Sequence, residues 1–223
     1  FEQRVARKPI RTVLFRARER ERAYSLVRQA IAAGRQGYVV FPLREESEDD
    51  QPDDFRAATK AIDDLGAGFL RGISLGLVHG QMSAAEKKSV MERFCRGDCA
   101  VLVATTVVEV GVDVPNAAVM VIEHAERFGL SQLHQLRGRI GRGPHESTCV
   151  LIADQRAGEA AKARLRVIER EIDGFAIAEA DLEQRGPGDL IGTRQAGIPL
   201  LSVADLTRDQ ELLTMAREDA ARL

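Results

Sequence analysis

The stretch AVMVIEHAERFGLSQLHQLRGRIGRGPHESTCVLIA, residues 118–153, contains a whole strand–helix–strand unit. Its ends, AVMVIE (118–123) and TCVLIA (148–153), are short apolar runs rich in Val and Ile, which predicts buried strands. Between them Leu130, Leu133, Leu136 and Ile140 recur at helical spacing, which predicts an amphipathic helix over 130–142. Parallel strands joined by a crossover helix are the unit of layered α/β sheets.

The same alternation fills the preceding hundred or so residues. Strands are expected at IRTVLF (10–15), YVVF (38–41), ISLGLVH (73–79) and AVLVAT (100–105). After the first, Ala23, Leu26, Val27, Ala30 and Ile31 form a helical stripe that Gly34 ends. A second helix carries Phe55, Ile62 and Leu65, and a third carries Val90, Met91 and Phe94. Ser83 and Glu86 have the spacing of a capping box at the start of that third helix, and Gly97 closes it. The expected fold class is therefore α/β, a mostly parallel sheet with helices on both faces over residues 10–153.

Residues 1–9 read as a linker, and the chain opens on Phe1 without periodicity, so a piece of a longer chain is expected. From 154 the alternation stops. Helices around 157–171 and 175–184, a Gly-rich RGPGDLIGTRQAG (185–197) and a last helix near 207–222 predict an α-helical appendage over 154–223.

Composition narrows the function classes. Of 223 residues 30% are charged and 44% hydrophobic, an ordinary globular balance, and the net charge of −2 gives no global pull on nucleic acid. Any such binding must come from local patches. Cys95, Cys99 and Cys149 lack the paired spacing of a zinc site or disulfide framework and read as small apolar fillers, which fits a reducing cytoplasm. No window approaches roughly 18 uninterrupted apolar residues, and there is no signal-peptide pattern, so neither membrane insertion nor export is expected. The acidic REESEDDQPDD (44–54) lacks the turn spacing of a calcium loop and reads as a solvated connection.

In sheets of this kind ligands gather beyond the carboxyl ends of the strands, which directs attention to the residues after 41, 79, 105, 123 and 153. On a helix over 130–142, at about 100° per residue, Gln135, Arg139 and Arg142 fall within about 60° of one another, opposite the apolar stripe. Arg137 points away from that set. Gly138 and Gly141 inside the helix would cost about 2 kcal/mol against alanine, which implies something packed close beside them. Two guanidiniums on one face suit the oxygens of a transferring phosphoryl group.

These residues carry a family resemblance. QLRGRIGR (135–142) resembles the Q-x-x-G-R-x-G-R motif of superfamily 2 helicases, and LVATTVVEVGVDVP (102–115) resembles their motif V. GLVHGQMSAAEKKSVMERF (76–94) is similar to the stretch before motif V in the same second RecA-like domain. DGFAIAEADLEQRGPGDLIGTRQAG (173–197) is similar to the TRG motif shared by the RecG and Mfd families, with RGPG and GTRQ closer to RecG. The resemblance covers about residues 10–210.

The resemblance implies a RecA-like second helicase domain with a TRG-type helical hairpin, acting as half of an ATP-driven translocase or helicase on branched double-stranded DNA. It makes Arg139 and Arg142, with Gln135 beside them, the arginine fingers on the γ-phosphate of ATP. Gly111 and Asp113 come near the nucleotide, and Thr105 and Thr106 face the nucleic-acid backbone. Hydroxyl and N–H donors at a strand end do position phosphates, with β-propensity or a turn as the plainer alternative for the two threonines. His79 and Gly80 match an H-G pair that approaches the DNA strand; a lone strand-end histidine also serves as a satisfied local donor. Arg164, Arg185, Arg194 and Gln195 match positions that couple hydrolysis to translocation, against the plainer reading of 185–197 as a surface connection.

No G-x-x-x-x-G-K-[ST] loop and no acidic D-E-x-x box occur in the chain. ATP with Mg2+ is therefore expected to be held mainly by a first RecA-like domain, with a wedge domain as another partner, and this chain alone is expected to hydrolyse no ATP. An Mfd-like coupling translocase and a non-enzymatic RecA-like interaction module are the alternatives.

Overall fold

A computed structural model describes residues 9–42, 54–105, 114–174, 176, 177, 180 and 181. Six strands form one sheet: β1 (Arg11–Arg16), β2 (Gln36–Val40), β3 (Leu75–Val78), β4 (Val101–Ala104), β5 (Ala117–Ile122) and β6 (Thr148–Ala153). Among the described residues four α-helices connect these strands, α1 (Arg20–Ala32), α2 (Asp54–Ala67), α3 (Ala84–Arg96) and α4 (Leu130–Arg137), and a fifth, α5 (Glu159–Arg170), follows β6. The strand order is β1-β6-β5-β2-β4-β3, and every adjacent pair is parallel. The strands predicted from sequence are all present, β6 with the expected ends and the other five with ends shifted by one or two residues.

Central strands β2, β4 and β5 are buried along their whole length, which is why they carry almost nothing but Val, Ile, Leu, Met, Ala and Tyr. One face of the sheet, through Val39, Val101, Val103, Val119, Val121, Val150 and Ile152, packs on Ala23, Tyr24 and Val27 of α1 and Leu65 of α2. Each valine, isoleucine or leucine among them contributes about 1.5–3 kcal/mol on burial. Strand periodicity sends the intervening residues to the opposite face, where Tyr38 meets Phe94 of α3 edge-on at 5.1 Å.

Helix α3 starts as its sequence specifies: the Ser83 hydroxyl accepts from the Glu86 N–H, and the Glu86 carboxylate accepts from the Ser83 N–H at 2.8 Å. The Ser83 hydroxyl also donates to that carboxylate at 2.7 Å, and this bond, followed by the one from the Ser83 N–H, holds the Glu86 carboxyl below its ordinary range. Gly97, at φ +84°, closes the same helix in the left-handed region. At the sheet edge, β1 is protected by α5: the Leu14 N–H donates to the Glu169 carboxylate at 3.1 Å.

Two expectations change. Helix α4 ends at Arg137, not at 142. Gly138 is its cap; beyond it the chain folds into a tight turn, with the N–H of Arg139 on the Leu136 carbonyl at 2.9 Å and that of Ile140 on the Arg137 carbonyl at 3.3 Å. Ile140 still reaches the core, 1% exposed, but does so from the turn. The cost of an interior glycine therefore falls away at Gly141, whose φ of +73° most other residues avoid. Cys99 and Cys149 are buried, as fillers would be, whereas Cys95 is exposed.

The sheet and α5 belong to one compact unit that runs to Ile177, and a second begins at Ala178. The sequence expectation set the start of the appendage at 154, ahead of α5. Residues 44–53, the Gly-rich 185–197 and the expected helix near 207–222 lie outside the described residues.

Candidate functional site

Because all six strands run the same way, their carboxyl ends share one edge of the sheet. Strands β3 and β4 are adjacent, with Val78 in register with Ala104. The residues that follow, His79 and Thr105, are thereby neighbours: the Thr105 N–H donates to the Val78 carbonyl at 3.3 Å, and both side chains are buried. The Thr105 hydroxyl is buried without a hydrogen-bond partner. Gly80 follows in an exposed turn whose carbonyl accepts from the Lys87 ammonium at 3.0 Å. The amino end of α3, capped by the Ser83 hydroxyl on the Glu86 N–H, opens a few residues later.

The second cluster is the end of α4. This helix has only eight residues and would not persist alone; Leu130, Leu133 and Leu136 hold it in the core. Gln135 is exposed on its outer side, Arg139 is partly exposed on the turn, and Arg142 is exposed just beyond. The Arg142 Nε donates to the Gly138 carbonyl at 3.2 Å, closing the turn on itself. The three residues are thus brought into one short segment by a turn and not by a shared helical face. A Cβ at Gly141 would lie 2.8 Å from Ile10, and one at Gly143 would collide with the Pro115 carbonyl. The clearance inferred for the glycines belongs to Gly141 and Gly143, and Gly138 meets only its own helix.

Arg137, set aside in the sequence reading, is 4% exposed and heavily bonded. Its Nη1 donates to the carbonyls of Ile168 at 2.8 Å and Glu171 at 2.7 Å, and its Nη2 lies 3.4 Å from that of Ile172 and 3.1 Å from His134 Nδ1. Burial lowers the Arg137 pKa, and burial followed by the Arg137 charge lowers that of His134.

A third cluster lies at the carboxyl end of β5. The Glu123 carboxylate, 2% exposed as a residue, accepts from Arg20 Nη2 at 2.8 Å, Arg20 Nε at 3.1 Å and the Tyr24 hydroxyl at 2.9 Å. Burial, then the charge of Glu123, raises the Tyr24 pKa well above its ordinary value. His124 adopts φ +49°, unusual for a residue with a side chain, and its Nδ1 sits 3.5 Å from Glu126. The Glu126 carboxylate accepts from the Asp154 N–H at 3.1 Å, and its backbone carbonyl from Arg164 at 3.1 Å. Sequence reasoning marked the residues after 123 as a place to look but assigned none of them. A glutamate closing an otherwise apolar strand was the available signal.

Thr106, Gly111, Asp113, Arg185, Arg194 and Gln195 lie outside the described residues. Among the described residues, no group of three or more His, Cys, Asp or Glu side chains is arranged to hold a metal ion, and no helix is long and apolar enough to cross a membrane.

A family model described as the helicase conserved C-terminal domain matches residues 25–144, more than half the chain, and one for ATP-dependent DNA helicase RecG, domain 3, C-terminal, matches 171–223. ATP-dependent DNA helicase RecG of Synechocystis sp. is 49% identical over 214 residues, 96% of this chain and 25% of that protein. Its counterpart in Bacillus subtilis is 46% identical over 222 residues, 100% of this chain and 32% of that protein. A solved structure of RecG bound to a three-way DNA junction superposes with a TM-score of 0.71 at 44% identity, covering 94% of this chain and 26% of the other. The fold is RecA-like, and the chain spans about a quarter to a third of the length of the curated relatives it matches.

Proposed function

The chain belongs to the helicase conserved C-terminal domain family, and from that premise we propose that it is the second motor domain, with its TRG-type appendage, of a RecG-type ATP-dependent helicase acting on branched double-stranded DNA. One observation carries the reading: the turn at 138–142, anchored in the core by Ile140, carries Arg139 and Arg142 beside exposed Gln135. Two guanidiniums on a fixed turn fit the γ-phosphate of an ATP bound to a first RecA-like domain, where they stabilise charge spread over the transferring phosphoryl oxygens. Mg2+ ligands and the loop cradling the β- and γ-phosphates would be supplied by that domain, since no such loop occurs in this sequence.

Gly111 and Asp113 would border the nucleotide. Thr105 and Thr106, with His79 and Gly80, would contact the DNA backbone, and the partnerless buried Thr105 hydroxyl supports that reading. Such contacts hold a strand without reading its sequence, which suits an enzyme that recognises branches by shape. Arg164, Arg185, Arg194 and Gln195 would couple hydrolysis to movement. The RecG domain 3 match over 171–223 favours a RecG-type over an Mfd-type protein. A first domain, a wedge domain and branched DNA are the partners this reading requires, and a cytoplasmic location agrees with it.

The test is ATP turnover by the complete protein with and without a three-way junction. Stimulation by the junction, and loss of about 10³-fold or more in kcat in Arg139→Ala and in Arg142→Ala, are expected. Full turnover in both variants, or hydrolysis by the 223-residue chain alone, would contradict the assignment.

A further inference from the structure

Helix α5 ends without the usual device. Its cap residue, Glu171, is extended at φ −90° and ψ 132°, with no glycine to turn the chain back over the last carbonyls. One of those carbonyls, that of Ile168, and the two that follow the helix, of Glu171 and Ile172, are answered from another element: the Arg137 guanidinium, at the end of α4, spans all three oxygens. The partial negative charge of a helix carboxyl end favours a cation there. Burying an arginine for this purpose is nonetheless expensive, because none of its hydrogen-bond partners is a carboxylate. A glycine turn would close α5 at lower desolvation cost. What the arginine supplies and a glycine would not is a fixed relation between two elements.

The residue one turn earlier does the same. The His134 ring lies against Gly174, where a Cβ would come within 3.1 Å of Nε2, and His134 Nδ1 sits 3.1 Å from Arg137 Nη2. Both side chains of α4 therefore grip the point at which the chain leaves α5. On the other side of Arg137, its own carbonyl accepts from the Ile140 N–H within the turn that carries Arg139 and Arg142.

We propose that Arg137, supported by His134, is a positioning residue that locks the arginine-bearing turn to the exit of α5, so that the turn and the chain leaving α5 move as one body. The inference rests on the function proposed above and deepens it. The turn keeps its own anchors, Ile140 in the core, Gly141 on Ile10 and Gly143 on Pro115. Loosening Arg137 therefore leaves hydrolysis in place and severs its transmission to the segment that follows Asp173.

The test compares Arg137→Lys and His134→Ala with the wild type in the complete protein, reading ATP turnover, KM for ATP and base pairs of branched DNA unwound per ATP. Lysine keeps the charge but has no planar fork to bridge three carbonyls. The expected result for Arg137→Lys is unwinding per ATP reduced about tenfold, with KM and turnover within about twofold of wild type. A smaller loss in the same direction is expected for His134→Ala. Hydrolysis and unwinding falling in equal proportion, or an unchanged ratio, would overturn the proposal. If urea unfolding finds Arg137→Lys misfolded, the ratio in His134→Ala decides. A wild type that does not hydrolyse ATP on branched DNA would remove the functional reading itself, a result separable from either variant's behaviour.

Discussion

Arg20 donates to Glu123 at 2.8 Å and so ties the start of α1 to the carboxyl end of β5, 103 residues later. The carboxylate side chain is 3% exposed and the arginine 35%, so one partner of the pair is committed to the interior and the other keeps about a third of its surface in water.

Removing Arg20 leaves the Glu123 carboxylate buried with the Tyr24 hydroxyl as its remaining donor. Breaking one side of a buried pair costs about 3–5 kcal/mol, and the exposure of Arg20 lowers this to about 2 kcal/mol for Arg20→Ala. Urea unfolding measures it. A loss under about 0.5 kcal/mol would mean that Glu123 finds water in place of the arginine.

Gly143→Ala places a Cβ into the Pro115 carbonyl, which is backbone and has no flexible end to move aside. A destabilisation of about 1–3 kcal/mol is expected, together with reduced ATP turnover in the complete protein, because the turn carrying Arg142 must shift. Gly138→Ala meets only Gln135 and His134 carbonyls, at 3.4 and 3.5 Å, and should be near neutral. Equal effects at the two positions would refute the packing difference.

Arg164 bonds the Glu126 carbonyl from the first half of α5. In the complete protein Arg164→Ala and Gln195→Ala are expected to spare ATP turnover and weaken unwinding, each leaving hydrolysis within about threefold of wild type. Parallel assays of the two activities check this, and equal loss of both would sink the coupling role.

His124 and Glu126 respond to pH in opposite senses. The hydrogen bond to Glu126 raises the His124 pKa above its ordinary value, although burial works against it. Burial alone would raise Glu126, but the bonds from His124 and from the Asp154 N–H outweigh it and lower its pKa. The histidine contribution to stability is complete below its unfolded pKa and is lost as pH rises through the folded one. The glutamate contribution is present above its unfolded pKa and is lost as pH falls through the folded one. The pair therefore stabilises most at about pH 5–6 and less by about pH 8. Urea midpoints across that range should fall less steeply in His124→Gln than in the wild type; identical slopes would exclude the pair as the cause.

Strand and helix identity was legible because burial on both faces leaves a continuous apolar run, as in AVMVIE and TCVLIA, and burial on one face leaves a stripe, as in α1. The caps at Ser83 and Gly97 were legible too, since each satisfies backbone groups within a few residues of itself. Periodicity misled at residues 138–142. Ile140 keeps helical spacing from Leu136, and that spacing cannot distinguish a helix from a turn that drops the same side chain into the same core.

By itself, then, the sequence determined the α/β alternation, the local caps and the short list of arginines and glycines around which the candidate site is built. All of these depend on neighbours close along the chain. Tertiary structure alone decided the roles of Arg137 and Glu123. Arg137 bonds carbonyls 31 to 35 residues away, and Glu123 bonds side chains 99 and 103 residues back. Backbone carbonyls have no side-chain signature, and pairing across such separations leaves no period in the chain.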